Sequence, residues 1–250
     1  MVSASCLFGL KAVVTGAASG IGEAVVRTLV KQDAEVLAVD SLNSNIETHF
    51  HALRRVHSAV LDINSADSGV QLAELASAEL GLVDIIICNL NLFVDKPISD
   101  NDEDALKNIL ARQKLLTETI VGEILPLMQN SPAGRIVILG FNRSVFGQDG
   151  SESYSKAEEA IAHLTRRLAA ETASSGINVN YIQPGAIMTP ESRRIFNNDK
   201  ALRDYYIKRC AAKRLGEPVD VAKVALFLAT DDSVFVSGTG ILVDGGIADS

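Results

Sequence analysis

Apolar and polar positions alternate along this chain in two rhythms. Short runs of consecutive aliphatic or β-branched residues, bounded by turn residues, predict strands buried on both faces. Residues 10–14, 35–39, 57–61, 84–88, 136–139, 177–182 and 241–243 are of this kind. Between them lie segments whose apolar residues recur three and four apart: 23–30, 66–80, 103–128, 154–174 and 219–229. That spacing puts one stripe of a helix against a core. Gly176 is placed to cap the 154–174 helix, and Pro184-Gly185 to halt the sixth strand. Residues 191–213 are polar and mixed, and read as a mobile lid on the substrate side. Strand and helix alternate to the end without an internal repeat or linker. The pattern predicts one α/β domain over 1–250, a doubly wound, seven-stranded parallel sheet with helices on both faces.

Bulk composition narrows the partners. The chain has 250 residues, is 47% hydrophobic, and carries a formal charge of −8. An acidic chain does not suit a phosphate backbone, so nucleic acid is not expected as a partner. Cys6, Cys88 and Cys210 lie far apart and suggest neither a disulfide framework nor a metal knuckle. No apolar run reaches the length of a membrane span. The first residues lack a basic leader and residues 10–14 are needed as a strand, so a cytoplasmic protein without membrane association is expected.

The most informative stretch is Thr15-Gly16-Ala17-Ala18-Ser19-Gly20-Ile21-Gly22, between the first strand and the first helix. Gly16 suits a tight turn. Gly20 and Gly22 let the backbone approach a pyrophosphate and let helix and strand pack closely. The free N–H groups of the helix start then favour an anion. Ser19 and Ile21 belong to the same turn. Asp40 ends the second strand, 18 residues after Gly22. A carboxylate there accepts from ribose hydroxyls and repels a 2′-phosphate, and no Lys or Arg stands between Asp40 and Arg54. The expected cofactor is NAD. Asp40, Asp62, Asn89, the loop after Leu139 and the Pro184-Gly185 turn all fall at the carboxyl ends of strands, where such sheets bind ligands.

These residues resemble the short-chain dehydrogenase/reductase family, which has a Rossmann-type fold, and the resemblance runs the length of the chain. It rests on the glycine turn, Asp62-Ile63, Asn89, Tyr154, Gly176-Ile177-Asn178-Val179-Asn180, Pro184-Gly185 with Thr189, Arg214-Leu215-Gly216-Glu217-Pro218 and Asp244-Gly245-Gly246. The resemblance implies that Asp62 and Ile63 meet the adenine and that Asn89 lines the adenosine ribose. It also implies that Ile187 and Thr189 hold the nicotinamide carboxamide, and that the 103–128 and 154–174 helices join subunits into a homotetramer or dimer.

The catalytic pieces depart from the family pattern. Where the family has Asn-Asn-Ala-Gly, this chain has Cys88-Asn89-Leu90-Asn91. In place of Tyr-x-x-x-Lys stands Tyr154-Ser155-Lys156-Ala157-Glu158, so an acid occupies the lysine position. Lys156 is two residues on, about 200° around a helix, and faces elsewhere. Gly140 and Phe141 replace the two family serines, with Ser144 nearby. The family's helix asparagine falls at Gln113. Tyr154 is therefore the remaining catalytic candidate, and it doubles as a cofactor contact. An ammonium beside a phenol lowers its pKa and a carboxylate raises it, so Glu158 predicts a phenol that is hard to ionise. His49 and His51 read as a solvated loop pair, so no metal site is expected. His163 reads as a packing or interface residue, and Arg143, Arg166 and Arg167 as surface charges. Three readings follow: an NAD-dependent oxidoreductase acting on an alcohol or carbonyl with a rebuilt catalytic set, an NAD-binding protein without turnover, and a non-redox enzyme on the same fold.

Overall fold

The sheet order and the two helix layers follow from which face each strand residue takes. The computed structural model of the chain describes residues 6–247 except 19, 91, 93 and 95, and of residue 43 the backbone alone. In chain order the elements are β1 (Lys11–Thr15), α1 (Gly20–Val30), β2 (Glu35–Asp40), α2 (Ile46–His49), β3 (Val56–Val60), α3 (Ser68–Glu79), β4 (Ile85–Cys88) and α4 (Glu103–Met128). They continue with β5 (Arg135–Leu139), α5 (Ser151–Thr172), β6 (Asn178–Pro184), α6 (Pro190–Asn198), α7 (Lys200–Arg209), α8 (Pro218–Ala229) and β7 (Gly240–Val243). The strands form one seven-stranded sheet in the order β3-β2-β1-β4-β5-β6-β7. All pairings are parallel. The order reverses between β1 and β4, and this opens the crevice in which such sheets take ligands.

Successive residues of each strand enter different cores. Val13, Leu37, Ile86, Ile136 and Val179 face α3, α4 and α5. Ala12, Val14, Val36, Ile85, Ile87 and Val137 face α1 and α8. Burial on both faces is why these strands carry unbroken apolar runs instead of an alternating pattern.

Two elements differ from the sequence expectation. Helix α5 starts at Ser151, ahead of the expected 154. Its first N–H groups have a distant partner: Asp100 accepts from Ser153 N at 2.7 Å and from Glu152 N at 3.3 Å. No local pattern announces a cap supplied from 50 residues away. The 191–213 segment, read as a mobile lid and given no helix, forms helices α6 and α7. Phe196, Leu202 and Tyr206 pack with Ala186 and Leu215 in a third, smaller apolar cluster. Thr189 and Ser192 cap α6 reciprocally, and Asp199 Oδ1 accepts from Leu202 N at 2.8 Å to cap α7. These are short helices of nine and ten residues, each with only two buried side chains: Ser192 and Phe196 on α6, Leu202 and Tyr206 on α7. Among the described residues, no helix is long and apolar enough to cross a membrane.

Candidate dinucleotide and substrate site

The glycine turn is held from below by β4. Thr15 Oγ1 donates to the Asn89 carbonyl at 2.9 Å, and Asn89 Nδ2 donates to the Gly16 carbonyl at 3.0 Å. Gly16 and Gly20 both have positive φ, 57° and 56°. A Cβ on Gly22 would stand 1.9 Å from the Gly16 carbonyl oxygen, so the helix start fits against the turn only without a side chain. Ser19 lies outside the described residues, as does Asn91.

Asp40 is fixed at the end of β2. Its Oδ2 accepts from Ala18 N at 2.8 Å and its Oδ1 from Ser41 N at 2.7 Å. A carboxylate has about four acceptor sites, so both oxygens keep capacity for further donors. Leu61 N donates to the Asp40 carbonyl, which places exposed Asp62 and half-buried Ile63 beside it. Asp62 Oδ1 accepts from Asn64 N at 3.0 Å.

The opposite wall joins the loop after β5 to the turn after β6. Asn142, which sequence reasoning did not single out, is the joint. Its Nδ2 donates to the Ile187 carbonyl at 2.9 Å and its Oδ1 accepts from Ile187 N at 3.2 Å. Arg143 N donates to the Gly185 carbonyl, and Gly185 N donates to the Val243 carbonyl. Ile187 and Thr189 are thereby held at the rim beside Pro184 and Gly185. A Cβ on Gly20 would stand 3.1 Å from Thr189 and 3.6 Å from Glu191 Oε2, so the start of α6 lies against the glycine turn.

Between these walls opens a cavity of about 540 Å³, within the range of small-molecule sites. Ile21, Asn89 and Thr189 line it from the expected cofactor residues. Leu90, Leu92, Val94, Phe141, Val145 and Ile195 make it largely apolar. Gln113 also lines it, with its Nε2 donating to the Leu139 carbonyl at 3.3 Å, and so does buried Ser144.

Tyr154 is set behind this cavity and is not among the residues that line it. The residue is 4% exposed, and its hydroxyl donates to the Pro184 carbonyl at 3.2 Å. Its ring meets Phe146 edge-on, and Phe146 in turn meets Phe141. Burial pushes the phenol up to about 12. Glu158 adds to the rise, as expected, but as a smaller contribution than burial, while Arg143 opposes it. Burial and then Glu158 also raise Tyr181.

Arg143 overturns its reading as a surface charge. It is 5% exposed, and its guanidinium carbon lies 4.1 Å from the Tyr154 ring centroid. A cation over a ring face is attracted by the ring's quadrupole. Arg143 directly precedes Ser144 in a short 3₁₀ turn, and its backbone is clamped from α7, where Tyr206 Oη donates to the Arg143 carbonyl. Arg166 and Arg167 are on the surface, and Arg167 pairs with Glu118 on α4 and Glu171. Lys156 faces outward, bound to Glu152 at 2.8 Å. The cation near the phenol thus comes from the loop after β5 and not from the helix that carries Tyr154.

Among the described residues, no group of three or more His, Cys, Asp or Glu side chains gathers to hold a metal ion. His51 Nδ1 lies 2.6 Å from the Thr48 carbonyl, and exposed His163 pairs with Glu159 one turn back.

Comparison with known proteins points the same way. The sequence profile described as enoyl-(acyl carrier protein) reductase matches residues 16–248. The oxidoreductase UcpA of Escherichia coli is 31% identical, across 96% of this chain and 95% of its own length. The cis-4-hydroxycyclohexanecarboxylate dehydrogenase of Sinomonas cyclohexanicum is 33% identical, across 94% and 95%. The 3-oxoacyl-[acyl-carrier-protein] reductase FabG of Thermotoga maritima is 29% identical, across 96% and 98%. With its sheet order, glycine turn and rim, the chain belongs to the short-chain dehydrogenase/reductase family, whose oxidoreductases generally use nicotinamide cofactors.

Proposed function

We propose that this chain is an NAD(H)-dependent oxidoreductase that interconverts an alcohol and a carbonyl, with proton handling unlike the family pattern. Asp40 carries the choice of cofactor. Its carboxylate is held by two main-chain N–H groups at the end of β2, with acceptor capacity left for ribose hydroxyls. No Lys or Arg in residues 41–53 offsets its repulsion of a 2′-phosphate. Gly16, Gly20 and Gly22 form the cradle for the pyrophosphate, with Ser19 in the same turn. Asp62, Ile63 and Asn89 stand on the adenosine side, and Pro184, Gly185, Ile187 and Thr189 on the nicotinamide side. Bound there, the dinucleotide supplies the hydride donor or acceptor. The apolar cavity walls keep water from the reacting carbon. The oxidoreductase names of UcpA and of the cis-4-hydroxycyclohexanecarboxylate dehydrogenase support this chemistry.

Tyr154 is the proposed acid, once its side chain leaves the Pro184 carbonyl and reaches the cavity behind which it sits. A neutral phenol gives its proton to the oxygen of a carbonyl being reduced. Alcohol oxidation instead needs the phenolate, which burial disfavours. Oxidation should therefore rise about tenfold per pH unit through the neutral range, while reduction stays flat. A second reading, an NAD(H)-binding protein without turnover, is favoured by the Pro184 hydrogen bond of Tyr154 and by Phe141 on the cavity wall.

Titration with NADH, followed by nicotinamide fluorescence and a panel of alcohols and ketones, tests both. Binding with turnover supports the first reading, and binding without turnover the second. No binding would leave a non-redox enzyme on this fold.

A further inference from the structure

The cavity holds four charged side chains, and three of them are already engaged. Lys96 Nζ lies 3.6 Å from Asp102 Oδ1. Asp199 caps α7. Glu191 lies against the glycine turn, with Oε2 3.6 Å from where a Cβ on Gly20 would stand. The fourth, Arg194, lines the cavity from α6 and has neither a hydrogen bond nor an ion pair to any described residue. Ser144 offers a hydroxyl to the same cavity, from the 3₁₀ turn that packs against α6. It is 2% exposed and lines the cavity, and its hydroxyl has no partner among the described residues.

We propose that the cavity takes an apolar-bodied hydroxy or oxo acid, with Arg194 binding its carboxylate and Ser144 its hydroxyl or carbonyl oxygen. This names the substrate class of the site and rests on the oxidoreductase reading above. A guanidinium and a carboxylate form two parallel charge-assisted hydrogen bonds, and apolar walls on one side strengthen them. The helix that presents Arg194 is fixed. Thr189 and Ser192 cap it, and Phe196 anchors it two residues on. The apolar lining of the cavity is supplied by Leu90, Leu92, Val94, Phe141 and Ile195. A substrate with a neutral end loses that contact, and exposed Arg194 stays in solvent.

The test needs no turnover. Octanoate and octanamide, equal in body and different in charge, are compared by calorimetric titration of the full chain. Octanoate should bind about tenfold tighter or more, the worth of one charge-assisted pair. Arg194→Gln should erase the preference, and Arg194→Lys should keep part of it. Lys96→Gln should leave it in place. Circular dichroism confirms that each variant folds. Equal binding of the two probes, no binding of octanoate, or a preference that survives Arg194→Gln overturns the proposal. NADH titration of the parent chain reports separately on the oxidoreductase reading, so the two fail distinguishably.

Discussion

Tyr154 shows how one residue's chemistry depends on neighbours far along the chain. The acid four residues on was visible in the sequence. Its effect is smaller than that of burial under the Phe146 ring and beside the Pro184 carbonyl, and Arg143 opposes it. A phenol raised to about 12, against about 10 when unfolded, favours the folded state while it stays neutral. That contribution is full below about pH 10 and is lost as pH climbs through the folded value, on the order of 2–3 kcal/mol. Burial raises Cys88 and Tyr206 in the same sense. Urea melts between pH 8 and 12 should show stability falling, with a shallower fall in Tyr154→Phe. Gly22 makes a sharper case. A Cβ there meets the Gly16 carbonyl at 1.9 Å, and backbone cannot swing aside as a side chain does. Gly22→Ala should cost about 3 kcal/mol or more by urea denaturation and abolish NADH binding, because the cradle itself must deform.

At the scale of elements, the long periodic segments were legible, and the start of α5 was not. Helix α4 runs over Glu103–Met128 as its apolar spacing predicts, because nine buried positions recur along one stripe. Helix α5 gains its first turn from Asp100, a residue in the loop before α4. Asp100→Ala should cost about 1 kcal/mol, the usual worth of an N-cap, and should be read as a lower urea midpoint with an unchanged slope. An unchanged midpoint would show that the first turn holds without its cap. Helices α6 and α7 were missed for a different reason. Their stability comes from Tyr206, whose hydroxyl donates to the Arg143 and Phe146 carbonyls, and from Phe196 beside it. Those contacts reach across some 60 residues of chain, so no local window contains them.

For the whole molecule, the sheet order places the glycine turn, Asp40, Asn89 and the Asn142–Ile187 joint on one rim. The outer faces of α4 and α5 are the proposed contact between subunits, with Leu115 on α4 63% exposed. Leu115→Glu should lower the mass measured by light scattering toward that of one chain. An unchanged mass would place the contact elsewhere or exclude it. The amino-acid sequence by itself determined the parallel architecture, the glycine turn and the position of Asp40. Those depend on the spacing of apolar residues and on glycines within a few residues of each other, which any fold of this chain must accommodate. Only the tertiary structure decided the surroundings of Tyr154, the burial of Arg143 over its ring and the presentation of Arg194 by α6. Side-chain environments of that kind are set by segments that meet only after the sheet has closed, and their charges act through space and not along the chain.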